Sequence, residues 1–138
     1  MKIIIILGLT FLSFYAKSQT LHLYGGKNHD VYLGCLNCNN YDSNSIWNEY
    51  GIYGSSYNSK SIWNPYSTYG HSYNSDSPWN LYGSNPPVVV DKSGNFYGYL
   101  TVNSYKSKRA DFSLALTMYD NYEEIQKDVS GWYKKLFD

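Results

Sequence analysis

Tyr41–Ser56 reads YDSNSIWNEYGIYGSS, Tyr57–Ser72 reads YNSKSIWNPYSTYGHS, and Tyr73–Pro87 reads YNSDSPWNLYGSNPP. The three segments abut without a gap and share the skeleton Y-x-S-x-S-x-W-N-x-Y at a sixteen-residue period. An internal repeat sets architecture before any single residue does, because each unit buries its apolar face only against its neighbours. The repeats contain few aliphatic side chains: Ile46, Ile52, Ile62 and Leu81 stand beside eight Tyr and three Trp. A core in this region has to be aromatic. Tyr and Trp suit it, since a packed ring carries a polar end that needs a partner.

Each unit reads as a short helical turn. Ser45, Ser61 and Ser77 precede Ile46, Ile62 and Pro78, the order of an N-cap followed by a first helical position that tolerates proline. Gly51 and Gly83 would close the turn. Pro65 removes a backbone donor four positions in, which limits the helix to one turn. A bend and a short extended piece complete the unit. The alternative is a β-solenoid with one coil per repeat, whose small interior would push the Trp column outside.

The period reaches into both flanks. Tyr32–Tyr41 shifted by 64 residues, four periods, falls on Phe96–Tyr105 with aromatic, Gly, Leu, Asn and Tyr positions in common. Both flanks read as hairpins. Leu21–Tyr24 and Val31–Asn37 surround Gly25-Gly26-Lys27-Asn28; Val88–Val90 and Phe96–Asn103 surround Asp91-Lys92-Ser93-Gly94-Asn95. Phe112, Leu114, Leu116 and Met118 alternate as in a further strand. Asp120-x-x-Glu123 resembles a capping box, and Tyr122, Ile125, Val129, Trp132 and Leu136 follow at helical spacing. Gly131 within that helix costs on the order of 1 kcal/mol.

The N-terminus has the build of a secretory signal: Lys2, an apolar run from Ile3 to Phe14, then Ala16-Lys17-Ser18 before a cut at Gln19. The apolar run is too short for a helix that spans a bilayer. The organisation expected is a signal peptide at 1–18 and one domain at 19–138. That domain divides into an N-terminal hairpin (19–40), three repeats (41–87), a hairpin and strand (88–118) and a helix (119–137). The fold class is α+β, a small β-hairpin-rich domain with a loop-rich repeat region containing short helical turns and a C-terminal amphipathic helix.

Charge points away from nucleic acid. The whole chain is balanced, 11 basic against 11 acidic residues, and loss of Lys2 and Lys17 leaves the exported form at −2. Lys106, Lys108 and Arg109 form one small basic cluster, read as a solvated loop or a weak anion contact.

Candidate sites are few. Cys35-Leu36-Asn37-Cys38 holds the only cysteines. In an exported protein they read as a local disulfide or two structural thiols; the alternative is a metal site completed by His22 and His29. The H-x6-H-x5-C-x2-C spacing matches no familiar zinc module, so zinc is the only cofactor considered and none is expected. No arrangement of nucleophile and base emerges, the carboxylates suggest no glycosidase pair, and catalytic residues stay unassigned. The remaining candidates are the columns Trp47, Trp63, Trp79 and Tyr50, Tyr66, Tyr82, which either fill the core or stack on a flat ligand. Asn48, Asn64 and Asn80 read as partners of the turns.

The run Y-x-S-x-S-I-W-N-x-Y-G-x-Y-G-S, followed by N-P-P-V-V-V-D-K-S-G-N-F-Y-G-Y-L-T-V-N, resembles an uncharacterised family of short exported bacterial proteins, over roughly Tyr32 to Tyr119. The resemblance implies a bacterial, exported protein and carries no activity and no catalytic residue. The functional expectation is a secreted or periplasmic, non-catalytic interaction protein whose partner is a cell-wall polymer, a glycan or another protein. The alternative is a metal-binding or enzymatic protein centred on Cys35, Cys38 and a nearby His.

Overall fold

The computed structural model describes residues 19–138; the expected signal peptide lies outside the described residues. Two hairpins meet in one sheet. Strands β1 (His22–Gly25), β2 (Val31–Cys35), β3 (Val88–Val90) and β4 (Phe96–Tyr99) are all antiparallel to their neighbours, in the order β2-β1-β3-β4. The repeats lie between β2 and β3. Helices α1 (Ser113–Lys127) and α2 (Val129–Phe137) follow β4, so the α+β class and the C-terminal helical segment are as the sequence predicts.

The sheet is symmetric about its central pair, Leu23 opposite Val89. Leu23 pairs outward with Gly34, and Val89 with Gly98. Those glycines are 64 residues apart and both have positive φ, 111° and 121°. The equivalence continues past each strand. Cys35 bridges Ser45 in parallel, and Tyr99 bridges Arg109. Cys35 donates to the Asn44 carbonyl at 2.6 Å, and Tyr99 to that of Lys108 at 2.9 Å. A Cβ at Gly34 would press on the Asn44 carbonyl, and one at Gly98 on that of Lys108. The C-terminal end of each edge strand, β2 and β4, is thus met by a later segment of the chain.

The repeat is not built from helical turns. Its backbone is a chain of β-turns joined head to tail. Asp42, Ser45, Asn48 and Gly51 are successive nodes, each N–H donating to the carbonyl three residues earlier; Ser55 then donates to Gly51, four earlier, and Asn58 to Ser55. The next coil repeats this through Ser61, Asn64, Ser67, His71 and Asn74. Four steps of three and one of four account for the sixteen-residue period.

The node residues explain why turns win over helix. Asx and Ser side chains accept from the N–H two residues on, giving the backbone a local partner that competes with helix. Ser45, Ser61 and Ser77 hydroxyls accept from Trp47, Trp63 and Trp79 N–H at 3.0, 3.1 and 3.1 Å. Asn48, Asn64 and Asn80 accept from Tyr50, Tyr66 and Tyr82 N–H at 3.1, 3.0 and 2.9 Å. The same asparagines donate to the node carbonyls of Asp42, Asn58 and Asn74. Pro65 and Pro78 both occupy the second turn position, where their fixed φ is favourable. Pro78 is therefore a turn residue rather than the start of a helix, and Pro65 breaks nothing. The turn chain ends beyond Gly83, where Pro86 and Pro87 have no N–H to continue it.

The helical layer begins earlier than the sequence pattern suggests. Phe112–Met118, expected as a strand, is mostly the first turns of α1. Ala115, Met118, Tyr119 and Ile125 are its buried residues while Leu116 is exposed, a helical rather than an alternating pattern. Asp120 and Glu123 lie inside α1 and cap nothing. The capping carboxylate is that of Asp128, which separates the helices with φ −156° and accepts the Gly131 N–H at 3.0 Å. A Cβ on Gly131 would collide with this carboxylate, so the glycine makes room for the cap and is not a mid-helix weakness.

Tryptophans form the centre of the core. Trp47–Trp63 and Trp63–Trp79 ring centroids are each 5.4 Å apart. Tyr122 of α1 stacks on Trp79 at 4.8 Å, and Tyr133 and Phe137 of α2 close over Trp47 at 6.3 and 5.6 Å. Each repeat tryptophan has its indole N–H satisfied by an earlier segment: Trp47 donates to the Leu36 carbonyl, Trp63 to Ile46 and Trp79 to Ile62, each at 2.7 Å. These bonds and ring contacts hold one coil on the next. Gln126 ties α1 to the array through the Gly70 and Ile62 carbonyls, at 3.0 and 3.4 Å.

Candidate functional site

The two aromatic columns of the repeat part company. Trp47, Trp63 and Trp79 are at most 1% exposed, so no ligand reaches them and they leave the candidate binding set. Tyr50, Tyr66 and Tyr82 are 89–91% exposed. A second row, Tyr41, Tyr57 and Tyr73, is 80–93% exposed and was not singled out by sequence reasoning. The signal for it was present, because Tyr heads every copy of the repeat.

Turn geometry explains the split. Trp47, Tyr50 and Tyr57 each stand two residues after a node, at the third position of a β-turn. The local backbone is therefore alike, and location around the coil decides the outcome. The Trp corner faces the helices, and the two Tyr corners face solvent. Neighbours touch these rings only at the margin: the Asn39 amide donates to the Tyr41 hydroxyl at 3.2 Å, and the His71 ring lies 5.8 Å from that of Tyr73. Tyr53 and Tyr69 differ again: they are half-buried and pack against the core. Tyr105, in register with Tyr41 by the 64-residue offset, is exposed as well. Large amphipathic rings left in water contribute little to folding, and contiguous patches of them mark contact surfaces.

The cysteine region takes a different form. Cys35 and Cys38 are joined by a disulfide, with Cα atoms 5.6 Å apart, and Cys35 is fully buried at the end of β2. His29 Nε2 lies 3.0 Å from the Pro86 carbonyl, tying the β1–β2 turn to the end of the repeats. His22 Nδ1 lies 2.8 Å from the Tyr32 hydroxyl. Both imidazoles thus have partners other than sulfur. No group of three or more His, Cys, Asp or Glu side chains converges among the described residues.

Electrostatics concentrate on the sheet. Burial, helped by the charge of Lys92, holds His22 below the ordinary imidazole range. Burial, with the phenols of Tyr24 and Tyr53 and the Asp42 carboxylate adding, pushes Tyr32 up to about 12. Asp91, in the β3–β4 turn, accepts from the Ser93 and Asn95 N–H groups, the Asn95 amide and the Tyr97 hydroxyl at 2.8–3.0 Å. The Asn95 amide above all holds its carboxyl down to about 2, against the opposing effect of burial.

The basic cluster is drawn onto aromatic faces. Lys106 Nζ sits 4.6 Å from the Tyr99 ring centroid and the Arg109 guanidinium 4.1 Å from that of Tyr119, both cation–π distances. No helix among the described residues is long and apolar enough to cross a membrane. Compared with protein-family models, curated proteins and solved structures, the chain matches none.

Proposed function

We propose that this is a secreted or periplasmic, non-catalytic interaction protein. Its repeat holds two tyrosine rows for stacking on an extended polymer, a cell-wall polysaccharide or another glycan. One observation carries the reading: six tyrosines recur at the sixteen-residue period with 80–93% of their surface in water, while the tryptophans of the same units are buried. The core needs the tryptophans and does not need these tyrosines. Phenol rings offer an apolar face to a sugar ring and a hydroxyl to its edge, at low conformational cost. A row repeated once per coil meets a polymer repeated once per residue, so that several weak contacts act together.

The test is co-sedimentation of the purified protein with peptidoglycan sacculi, cellulose and chitin. A Tyr50→Ser/Tyr66→Ser/Tyr82→Ser variant and a Tyr41→Ser/Tyr57→Ser/Tyr73→Ser variant run in parallel. Retention of the parent on at least one polymer, lost in one triple variant of unchanged circular dichroism, is the expected result. Failure of the parent to bind any of the three, or equal retention of both variants, overturns the polymer reading.

A further inference from the structure

A second surface shares no residue with the tyrosine rows. β1, β2, the first turns of the repeat and the β3–β4 turn surround an open cleft of 540 Å³, lined by His22, Tyr24, Tyr32, Asn44, Asp91 and Lys92 among others. Tyr24 and Tyr32, with centroids 5.3 Å apart, make an aromatic wall.

The hydrogen-bonding state of each polar group gives the cleft its chemistry. Tyr32 is a neutral phenol whose hydroxyl meets His22 Nδ1. Donation from the hydroxyl to Nδ1 satisfies both atoms, and we assign the His22 proton to Nε2, where it makes no bond among the described residues. The Asn44 backbone is engaged on both sides, by Asp42 and Cys35, while its exposed side-chain amide has no partner among the described residues. Among the described residues Lys92 forms no ion pair, and the one present joins Lys127 to Glu124. Asp91 is the one anion of the lining, and its two oxygens already accept four hydrogen bonds, three from its own turn and one from Tyr97 of β4. What the cleft has left to offer is an imidazole N–H, an ammonium, an amide and the Tyr24 hydroxyl, which has no hydrogen-bond partner among the described residues.

We propose that this cleft binds a small ligand through its carboxylate, with Lys92, His22 Nε2–H and Asn44 as donors and the Tyr24–Tyr32 wall against the ligand's body. Three donors against a carboxylate follow the preference of charge-assisted hydrogen bonds. Its source is either an acidic sugar, whose ring uses the wall, or a simple organic acid, which does not.

The experiment is an NMR titration of the protein at constant ionic strength with glucuronate, acetate and glucose, repeated on Lys92→Met. Lys92 is exposed and holds no ion pair among the described residues, so the variant is expected to keep the parent's circular dichroism spectrum. Expected are saturable shifts at His22 and Lys92 with glucuronate, none with glucose, and affinity reduced about tenfold or more in Lys92→Met, the size of one charge-assisted bond. Glucuronate binding well above acetate assigns the carboxylate to an acidic sugar; equal binding assigns it to an organic acid. The proposal is overturned by the absence of saturable shifts with either carboxylate, by glucose binding as well as glucuronate, or by an unchanged affinity in Lys92→Met.

Discussion

Replacing Trp63 by Phe tests the stacking of one coil on the next. Trp63 is fully buried between two indoles 5.4 Å away on either side, and its N–H supplies the hydrogen bond to the Ile46 carbonyl. Phenylalanine keeps a ring in the stack and removes the donor. A buried carbonyl left without its partner costs about 1–3 kcal/mol. The smaller ring loses roughly two buried carbon groups at about 0.8 kcal/mol each, so the expected destabilisation is roughly 2–5 kcal/mol. Trp79→Phe makes the same chemical change at the next coil with a different result. Its acceptor, the Ile62 carbonyl, keeps the Gln126 amide at 3.4 Å. The expected penalty is smaller by about 1 kcal/mol, the net worth of an ordinary hydrogen bond. Urea unfolding followed by far-ultraviolet circular dichroism gives both values, provided the dependence on urea stays equal among variants. If Trp79→Phe is as damaging as Trp63→Phe or more so, the hydrogen-bond account fails. If both lie within 0.5 kcal/mol of the parent, roughly the spread of surface substitutions, the indole bonds do not hold the coils together.

Three further outcomes follow from local geometry. Gly70→Ala places a Cβ against the backbone carbonyl of Asn64 in a buried position, and a loss of about 1–3 kcal/mol or more is expected; Gly51→Ala, whose Cβ first meets the Asn48 side chain at 3.2 Å rather than backbone, loses less in the same urea assay. Asp91 has a folded pKa of about 2, below its unfolded value near 4, so its contribution to stability is present above the ordinary carboxylate range and fades as the pH falls from about 4 towards 2. Asp91→Asn should show a shallower loss of stability across that interval, measured by thermal unfolding at stepped pH. Cys35→Ser/Cys38→Ser opens a very short loop, for which the chain-entropy estimate is about 2 kcal/mol; a midpoint shift of that size should appear equally on reducing the parent.

Sequence patterns forecast the arrangement better than the conformation. The period, the two hairpins and the 64-residue relation between flanks all have physical counterparts, because glycines needing positive φ and buried leucines cannot be moved without cost. The turn chain was hidden by an ambiguity in the signals themselves. Ser before Ile or Pro describes a helix N-cap and a β-turn equally well. What distinguishes them is the recurrence of Asp, Ser, Asn or Gly at every third residue from Asp42 to Gly51 and from Asn58 to Ser67. A helix has no use for that spacing, and consecutive turns require it. The start of α1 was masked because Phe112, Leu114, Leu116 and Met118 alternate, and only packing shows Leu116 to be outside. For the candidate site, Trp and Tyr occupy the same turn position. Their fates diverge through contacts with helices far along the chain, from Trp79–Tyr122 to Trp47–Phe137, which no local pattern reports.

The helical layer also limits how many units this protein can hold. Tyr122 covers the tryptophan of the last coil, and Tyr133 and Phe137 cover that of the first. An in-frame duplication of sixteen codons would add a coil with acceptable turns and a new indole bond, yet its tryptophan would project past the covering rings. The duplication becomes viable only if α1 lengthens to match. Copy number is thus gauged by a segment that carries no repeat at all, and natural length variants should change both together.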